Sequence, residues 1–280
     1  MIRSPRKPNP DRITSEIGQI LAPLAIFPWG PLAMHYLGVP IVLGTAMIAV
    51  HDEDYEKACQ KLKDSAFIAT VPDRRPAPEV LARLPNPDEV MAEVNKEYQH
   101  LDRSTLTFNY PINHHLAGSL KLNLVPNSFA NLPTPDVTSD LKQNTVSTKG
   151  YDIYGNIFHP LEEALVESMV KGVIDDENDE NAEFSIWGET LSTWLAMMGA
   201  YLEVNNDILD SCSDEQAVKW FSVHFGRIHE EKFGPWDRRV SKRLGSGREM
   251  PVDMRGNPLP KSKGPPEPDV SLTMSDGEAD

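Results

Sequence analysis

Cysteine is nearly absent from this chain: Cys59 and Cys212 are the two among 280 residues. Two thiols so far apart cannot build a disulfide scaffold or a four-thiolate zinc site. Both fall in helical patterns and read as small core residues. Long apolar runs are missing as well. The most apolar stretch, Ile20 to Val50, is broken by Pro23, Pro28, Pro31 and Pro40 and by Gly30, Gly38 and Gly44. No window reaches the roughly 18 to 20 unbroken apolar residues of a membrane span, and the basic start is not followed by an apolar signal region. The expectation is a cytoplasmic or nuclear protein with no membrane partner. Positive charge is scarce too, with 27 Lys and Arg against 42 Asp and Glu, a formal charge of −15. Such a surface repels phosphates and argues against general nucleic-acid binding unless a local basic patch overrides it.

Several catalytic signatures are lacking. There is no Gly-x-Ser-x-Gly elbow, no base beside Cys59 and no P-loop spacing. His224 and His229 are five apart, off one helix face, where a zinc helix prefers four. His114-His115 follows Tyr110-Pro111 and reads as a solvated loop pair. Asp207, Asp210 and Asp214 read as turn and capping residues, since the glycine and terminal glutamate of a calcium loop are absent. No metal and no cofactor is expected.

What is present points to an α+β fold. The length suits one composite domain, and 24 prolines suit a folded body with Pro-rich loops. Residues 1–12 read as a flexible arm. A helix is expected from Thr14 or Ser15 through Leu24, then a sharp turn at Phe27-Pro28-Trp29-Gly30-Pro31 and a short helix from Leu32 to Leu37, ended by Gly38. Met47 to Val50 reads as a buried strand. Asp52 is expected to cap the helix carrying Tyr55, Cys59, Leu62 and Phe67. Residues 71–87 are Pro-rich and irregular, and a helix follows from Pro87 to about His100. Thr105 to Tyr110 and Ser119 to Val125 read as strands, the second alternating and buried on one face. From residue 151 to 250 the pattern predicts helices: Leu161 to Ile174, stopped by the acidic run from Asp175; Phe184 to Val204; and Ser213 to Phe233. Trp187, Leu191, Trp194, Met198 and Tyr201 share one stripe, read as packing core. Residues 251–280, rich in Pro, Gly and acids, read as a disordered tail.

The stretch Pro28-Trp29-Gly30-Pro31-Leu32-Ala33-Met34-His35-Tyr36-Leu37-Gly38-Val39-Pro40, with Ala49-Val50-His51-Asp52, resembles the core of nucleotidyltransferase-fold proteins. With the late stretch Gly234 to Met250, the chain to about residue 260 is similar to a group of uncharacterised filamentous-fungal proteins of that fold. The resemblance implies a small mixed sheet flanked by helices over residues 13–150. It also implies a glycine turn and short helix that hold a phosphate, and a strand presenting two magnesium-binding carboxylates two residues apart. Those carboxylates would fall near Thr45 and Met47, and a third would come from the strand where Lys121 and Asn123 are the polar candidates. None is acidic. Phosphoryl transfer by two metals needs hard anionic oxygens, and a methionine thioether cannot serve. Asp52, Glu53 and Asp54 lie past the strand, where the helix dipole alone favours acids.

One basic patch stands out against the acidic background. Arg227, Lys232, Arg238, Arg239, Lys242, Arg243 and Arg248 face only Glu230, Glu231 and Asp237, a local excess of +4. Gly245-Ser246-Gly247 adds a turn whose amides suit an anion. Three readings stay open: intramolecular ion pairs with the acidic body, binding of an anion or nucleotide, or binding of a partner. The expected phosphate or anion site therefore comprises Trp29, Gly30, Arg238, Arg239, Lys242, Arg243, Ser246 and Arg248. The functional expectation is a non-catalytic nucleotidyltransferase-fold protein that binds a nucleotide or other phosphate ligand, or a protein partner. The alternative is a divergent magnesium-dependent nucleotidyltransferase recruiting acids such as Asp52 or Asp54.

Overall fold

The computed structural model describes residues 5–225 apart from 73, 77, 136–145, 149, 180–184, 203, 205–207 and 210. The architecture is α+β: one mixed eight-stranded sheet with helices on both faces.

The chain opens with α1 (Arg12–Leu21), whose N-cap is Asp11: its Oδ1 accepts from the Thr14 backbone N–H at 3.0 Å. An Asp side chain satisfies an otherwise orphaned first-turn amide, so the helix starts earlier than Thr14. Next comes β1 (Ile26–Trp29), where the punctuation of Phe27-Pro28-Trp29 predicts a turn. The proline is tolerated because β8 pairs with β1 at Ile26 alone, leaving the Pro28 side without a ladder bond to lose. α2 (Pro31–Leu37) has proline at its first position and ends at Gly38, whose φ of 99° only glycine adopts readily. β2 (Thr45–Val50) is buried almost throughout. A single 3-10 turn at Asp52–Asp54 leads into α3 (Tyr55–Asp64).

β3 (Ile68–Thr70), α4 (Pro78–Leu81), α5 (Pro87–Glu97) and α6 (Gln99–Ser104) precede β4 (Leu106–Asn109) and β5 (Lys121–Pro126). β5 is buried on both faces at Leu122 to Val125, not on one, because it lies between β4 and β2 with helices above and below. α7 (Asn127–Ala130) is a single turn. Residues 146–160 then supply β6 (Val146–Thr148), β7 (Tyr151–Tyr154) and β8 (Ile157–Pro160), so the helical part begins only at α8 (Glu162–Glu177). α9 (Ile186–Tyr201) and α10 (Glu215–His224) follow, capped by Ser185 and Asp214.

The strand order is β3-β4-β5-β2-β1-β8-β7-β6. Five strands make a mixed body in which β2 and β5 are parallel; an antiparallel meander, β8-β7-β6, joins it in parallel along β1 through the register pair Ile26 and Ile157. Side-chain alternation divides the interior in two. Trp29, Met47, Ala49, Val125 and Phe158 pack with α8, α9 and α10. Ile26, Ile48, Val50, Leu122 and Leu124 pack on the opposite face with α1 and α3. Of the predicted aromatic stripe, Trp187, Leu191, Trp194 and Met198 are buried in the first of these cores, and Tyr201 packs at its margin.

Candidate functional site

The strand register brings the resemblance's key positions together. Met47 lies beside Trp29 on one side and Asn123 on the other, and Asn123 pairs in turn with Thr107. Thr45 lies beside Lys121. The row Trp29, Met47, Asn123, Thr107 is buried, and its polar members satisfy one another: Thr107 Oγ1 donates to Asn123 Oδ1 at 2.9 Å. Trp29 is inaccessible to solvent and its indole N–H is committed to Ser168 Oγ at 2.7 Å; Ser168 donates onward to the Ala130 carbonyl. Such a chain is what a buried indole N–H requires.

Gly30 has φ +56° and a tight surround. A Cβ there would sit 3.0 Å from Trp194 Cζ3 and 3.1 Å from Met47 Sδ. The glycine thus lets the Trp194 ring close over the start of α2. The space beside it is filled by apolar side chains, and Trp29 and Gly30 are both part of the core.

The acids after β2 have local duties. Asp52 does not cap its own helix: its Oδ1 accepts from the backbone N–H of Ser128, tying the end of β2 to the start of α7. Asp54 pairs with Lys57 at 2.9 Å, three residues on. Arg238, Arg239, Lys242, Arg243, Ser246 and Arg248 lie outside the described residues, as do the predicted tail and His229. His114 is not the solvated loop residue expected. Its ring stacks on Tyr110 and its Nε2 meets Glu16 at 2.7 Å, because α1 carries Glu16 over that loop.

One opening was announced by no motif. A cleft of about 530 Å³ lies between α6, α7 and the end of α8, lined by His100, Ser104, Ser128, Phe129, Asp175 and Asp179 among others. The acidic run was expected to stop α8 at Ile174, yet the helix continues through Asp175, Asp176 and Glu177. Carboxylates at a helix C-terminus oppose its dipole. Here side-chain partners offset that cost. Asp176 is buried and faces His100 Nδ1 at 3.2 Å and Ser185 Oγ at 3.1 Å. Asp175 accepts from Asn131 Nδ2 at 2.6 Å, and Asp179 from Arg103 Nη2 at 2.6 Å. Gly188 is required for this arrangement, since a Cβ there would lie 2.5 Å from Asp176 Oδ2.

His100 is held from both sides: Asp176 fixes Nδ1, and the ring meets Phe129 edge-on at 5.2 Å. Phe129 stacks in turn on Trp187. The result is a rigid wall with one aromatic surface and a rim of Asp175 and Asp179. Asp175 and Asp179 give the rim an acidic character, with Arg103 beside Asp179, and an acidic rim suits a cation better than a phosphate. No group of three or more His, Cys, Asp or Glu side chains among the described residues is placed to hold a metal ion. Sequence reasoning missed the site because His100 and Asp176 are 76 residues apart. The usable signal was the clustering of acids at a helix end that the dipole disfavours.

Among the described residues no helix is long and apolar enough to cross a membrane. Comparison with protein-family models, with curated proteins and with solved structures yields no match.

Proposed function

We propose that the chain is a non-catalytic binding protein on a nucleotidyltransferase-like sheet, and that its acid-rimmed cleft takes a lysine or arginine side chain of a protein partner. The observation that carries this reading is the rim itself. Asp175 and Asp179 border a cleft whose wall is the Phe129 ring, and an alkyl-ammonium or guanidinium group gains from both charge and ring face. Against nucleotidyl transfer stand Met47 and Asn123 at the positions where the resemblance would put carboxylates, and the engagement of Asp52 with Ser128 and of Asp54 with Lys57. A nucleotide or other phosphate remains a second ligand class, favoured by the +4 excess between Arg227 and Arg248.

A thermal-shift titration separates these readings. The ligands are a short Lys/Arg-rich peptide, the same peptide with Gln in place of Lys and Arg, and ATP with and without Mg²⁺. Saturation at 100 times the dissociation constant raises stability by about 2.7 kcal/mol. A shift with the cationic peptide alone, abolished by Asp175→Asn together with Asp179→Asn, supports the cleft. A metal-independent ATP shift, lost in Arg239→Ala with Arg243→Ala, moves the function to the basic segment. A shift with ATP that requires Mg²⁺ replaces the non-catalytic reading with a divergent enzyme.

A further inference from the structure

His159, in the middle of β8, is fully buried, and neither ring nitrogen has a hydrogen-bond partner. It stacks on Tyr36 with ring centroids 3.8 Å apart, and Tyr154 meets it edge-on at 6.0 Å. Across the ladder its partner is Asp152. A neutral imidazole can rest in such a place, but an imidazolium carries two N–H donors that must find acceptors.

The cover over this cluster is the segment preceding α1. The Lys7 backbone N–H donates to the Tyr36 carbonyl at 2.9 Å, and the Tyr154 hydroxyl donates to the Pro8 carbonyl at 3.0 Å. Arg6 donates to Asp152 Oδ2 at 3.0 Å and to Glu162 at 3.3 Å, and the Tyr36 hydroxyl donates to the same Asp152 oxygen at 2.8 Å. Residues 5–11, read from sequence as part of a loose arm, are thus strapped down, and the strap's charged anchor is the carboxylate that faces His159. The charged and titratable groups facing His159 are Asp152 and Tyr154 from β7, Tyr36 from α2, and Arg6 and Asp11 from the strap; β1 on its other side contributes only Ile26, Phe27, Pro28 and Trp29.

We infer that His159 is a proton sensor that releases the N-terminal strap in mild acid. The proton arrives from solvent during a brief opening of the strap and sits on an imidazole nitrogen. The resulting cation competes with Arg6 for Asp152 and repels the guanidinium. Reclosing would bury an imidazolium whose two N–H donors have no acceptor in place, beside the Arg6 guanidinium already on Asp152, so the open form is favoured. Burial holds the imidazole down at about pH 4, against the opposing pull of Asp11 and Asp152. With the strap open the group regains the ordinary value near 6.5, so release is driven over the window between the two.

Hydrogen exchange on the full chain tests this, reading the Lys7 amide against those of β2 and β5 after correction for intrinsic rates. From about pH 7 to about pH 5, Lys7 protection is expected to fall by roughly tenfold or more while the central strands stay protected. His159→Phe keeps the ring stack but cannot titrate, and its Lys7 protection should be independent of pH over that range. His159→Gln serves the same purpose should the phenylalanine variant not fold. Arg6→Ala should lower Lys7 protection at both pH values. An unchanged pH profile in the His159 variant overturns the proposal, and so does loss of Lys7 protection only in step with the central strands.

Discussion

The two faces of the sheet solve the same problem differently. On the α1 and α3 side, Ile17, Leu21, Ile26, Ile48, Leu62, Leu122 and Leu124 form a largely aliphatic core, with Phe67, Phe108 and Tyr110 among them, in which burial does most of the stabilising. On the α8 and α9 side, Trp29, Trp187 and Trp194 meet at steep angles with centroids 5.6 to 6.5 Å apart, and polar atoms are threaded among them. Ring geometry and the hydrogen bonds of Trp29, Ser168, Asn123 and Thr107 fix orientation there, where aliphatic packing on the other face leaves side chains more interchangeable. The cleft opens on the aromatic side. Its wall, Phe129, also packs on that core, so the rigidity of the rings extends to the site.

The comparison breaks most visibly at Trp29. Trp29→Ala should cost about 3–5 kcal/mol in urea unfolding, from the cavity and the lost contacts. Trp29→Phe isolates the polar part: it should still cost about 1–2 kcal/mol, because Ser168 loses its donor. A cost-free Trp29→Phe would mean that the aromatic face depends on volume alone. Gly30→Ala should cost about 1–3 kcal/mol, since the added methyl meets Trp194 and Met47 and the backbone stays at positive φ. On the aliphatic face Ile48→Val should cost about 0.5–1.5 kcal/mol, with neighbours that readjust. The smallest stability effect belongs to the rim. Asp179→Asn should shift unfolding by about 0.5 kcal/mol, because the Arg103 side chain it pairs with is half exposed, and it should still weaken cationic-peptide binding.

Acid sharpens the comparison in another way. The folded His159 takes its proton at about pH 4, below its ordinary value, so the unfolded chain binds that proton first as pH falls. The stability it contributes is complete above about pH 6.5 and is lost as pH drops toward 4. The melting temperature should therefore fall across that window, and His159→Phe should flatten the part of the fall that wild type and variant do not share.

Much of the fold was legible where one pattern dominated. β2 and the short α2 before Gly38 stand out because apolar run and glycine punctuation agree, and the stripe on α9 marks its buried face correctly. β1 was hidden because Pro28 and the neighbouring Gly30-Pro31 carry turn chemistry that tertiary context overrides. β7 and β8 were readable in principle: Gly155-Asn156 between Tyr151-Asp152-Ile153-Tyr154 and Ile157-Phe158-His159 is a hairpin signal. The cleft was not, because Ser128, His100 and Asp176 come from three helices whose proximity depends on sheet order. The strap was equally hidden, since the Arg6 bonds reach 146 and 156 residues along the chain.

The seam between the two parts of the sheet bears on how the chain acquires its shape. Strands β1 to β5 find all their mutual partners within the first 126 residues, whereas β1 meets β8 only at Ile26 and Ile157, with Asn156 reaching the Gly18 and Leu24 carbonyls. During synthesis the five-strand body has every internal partner available long before β8 emerges, and the meander must then dock as a late unit. Until it does, the outer edge of β1 stands open, and the proline in its middle is well suited to discourage another chain from pairing there.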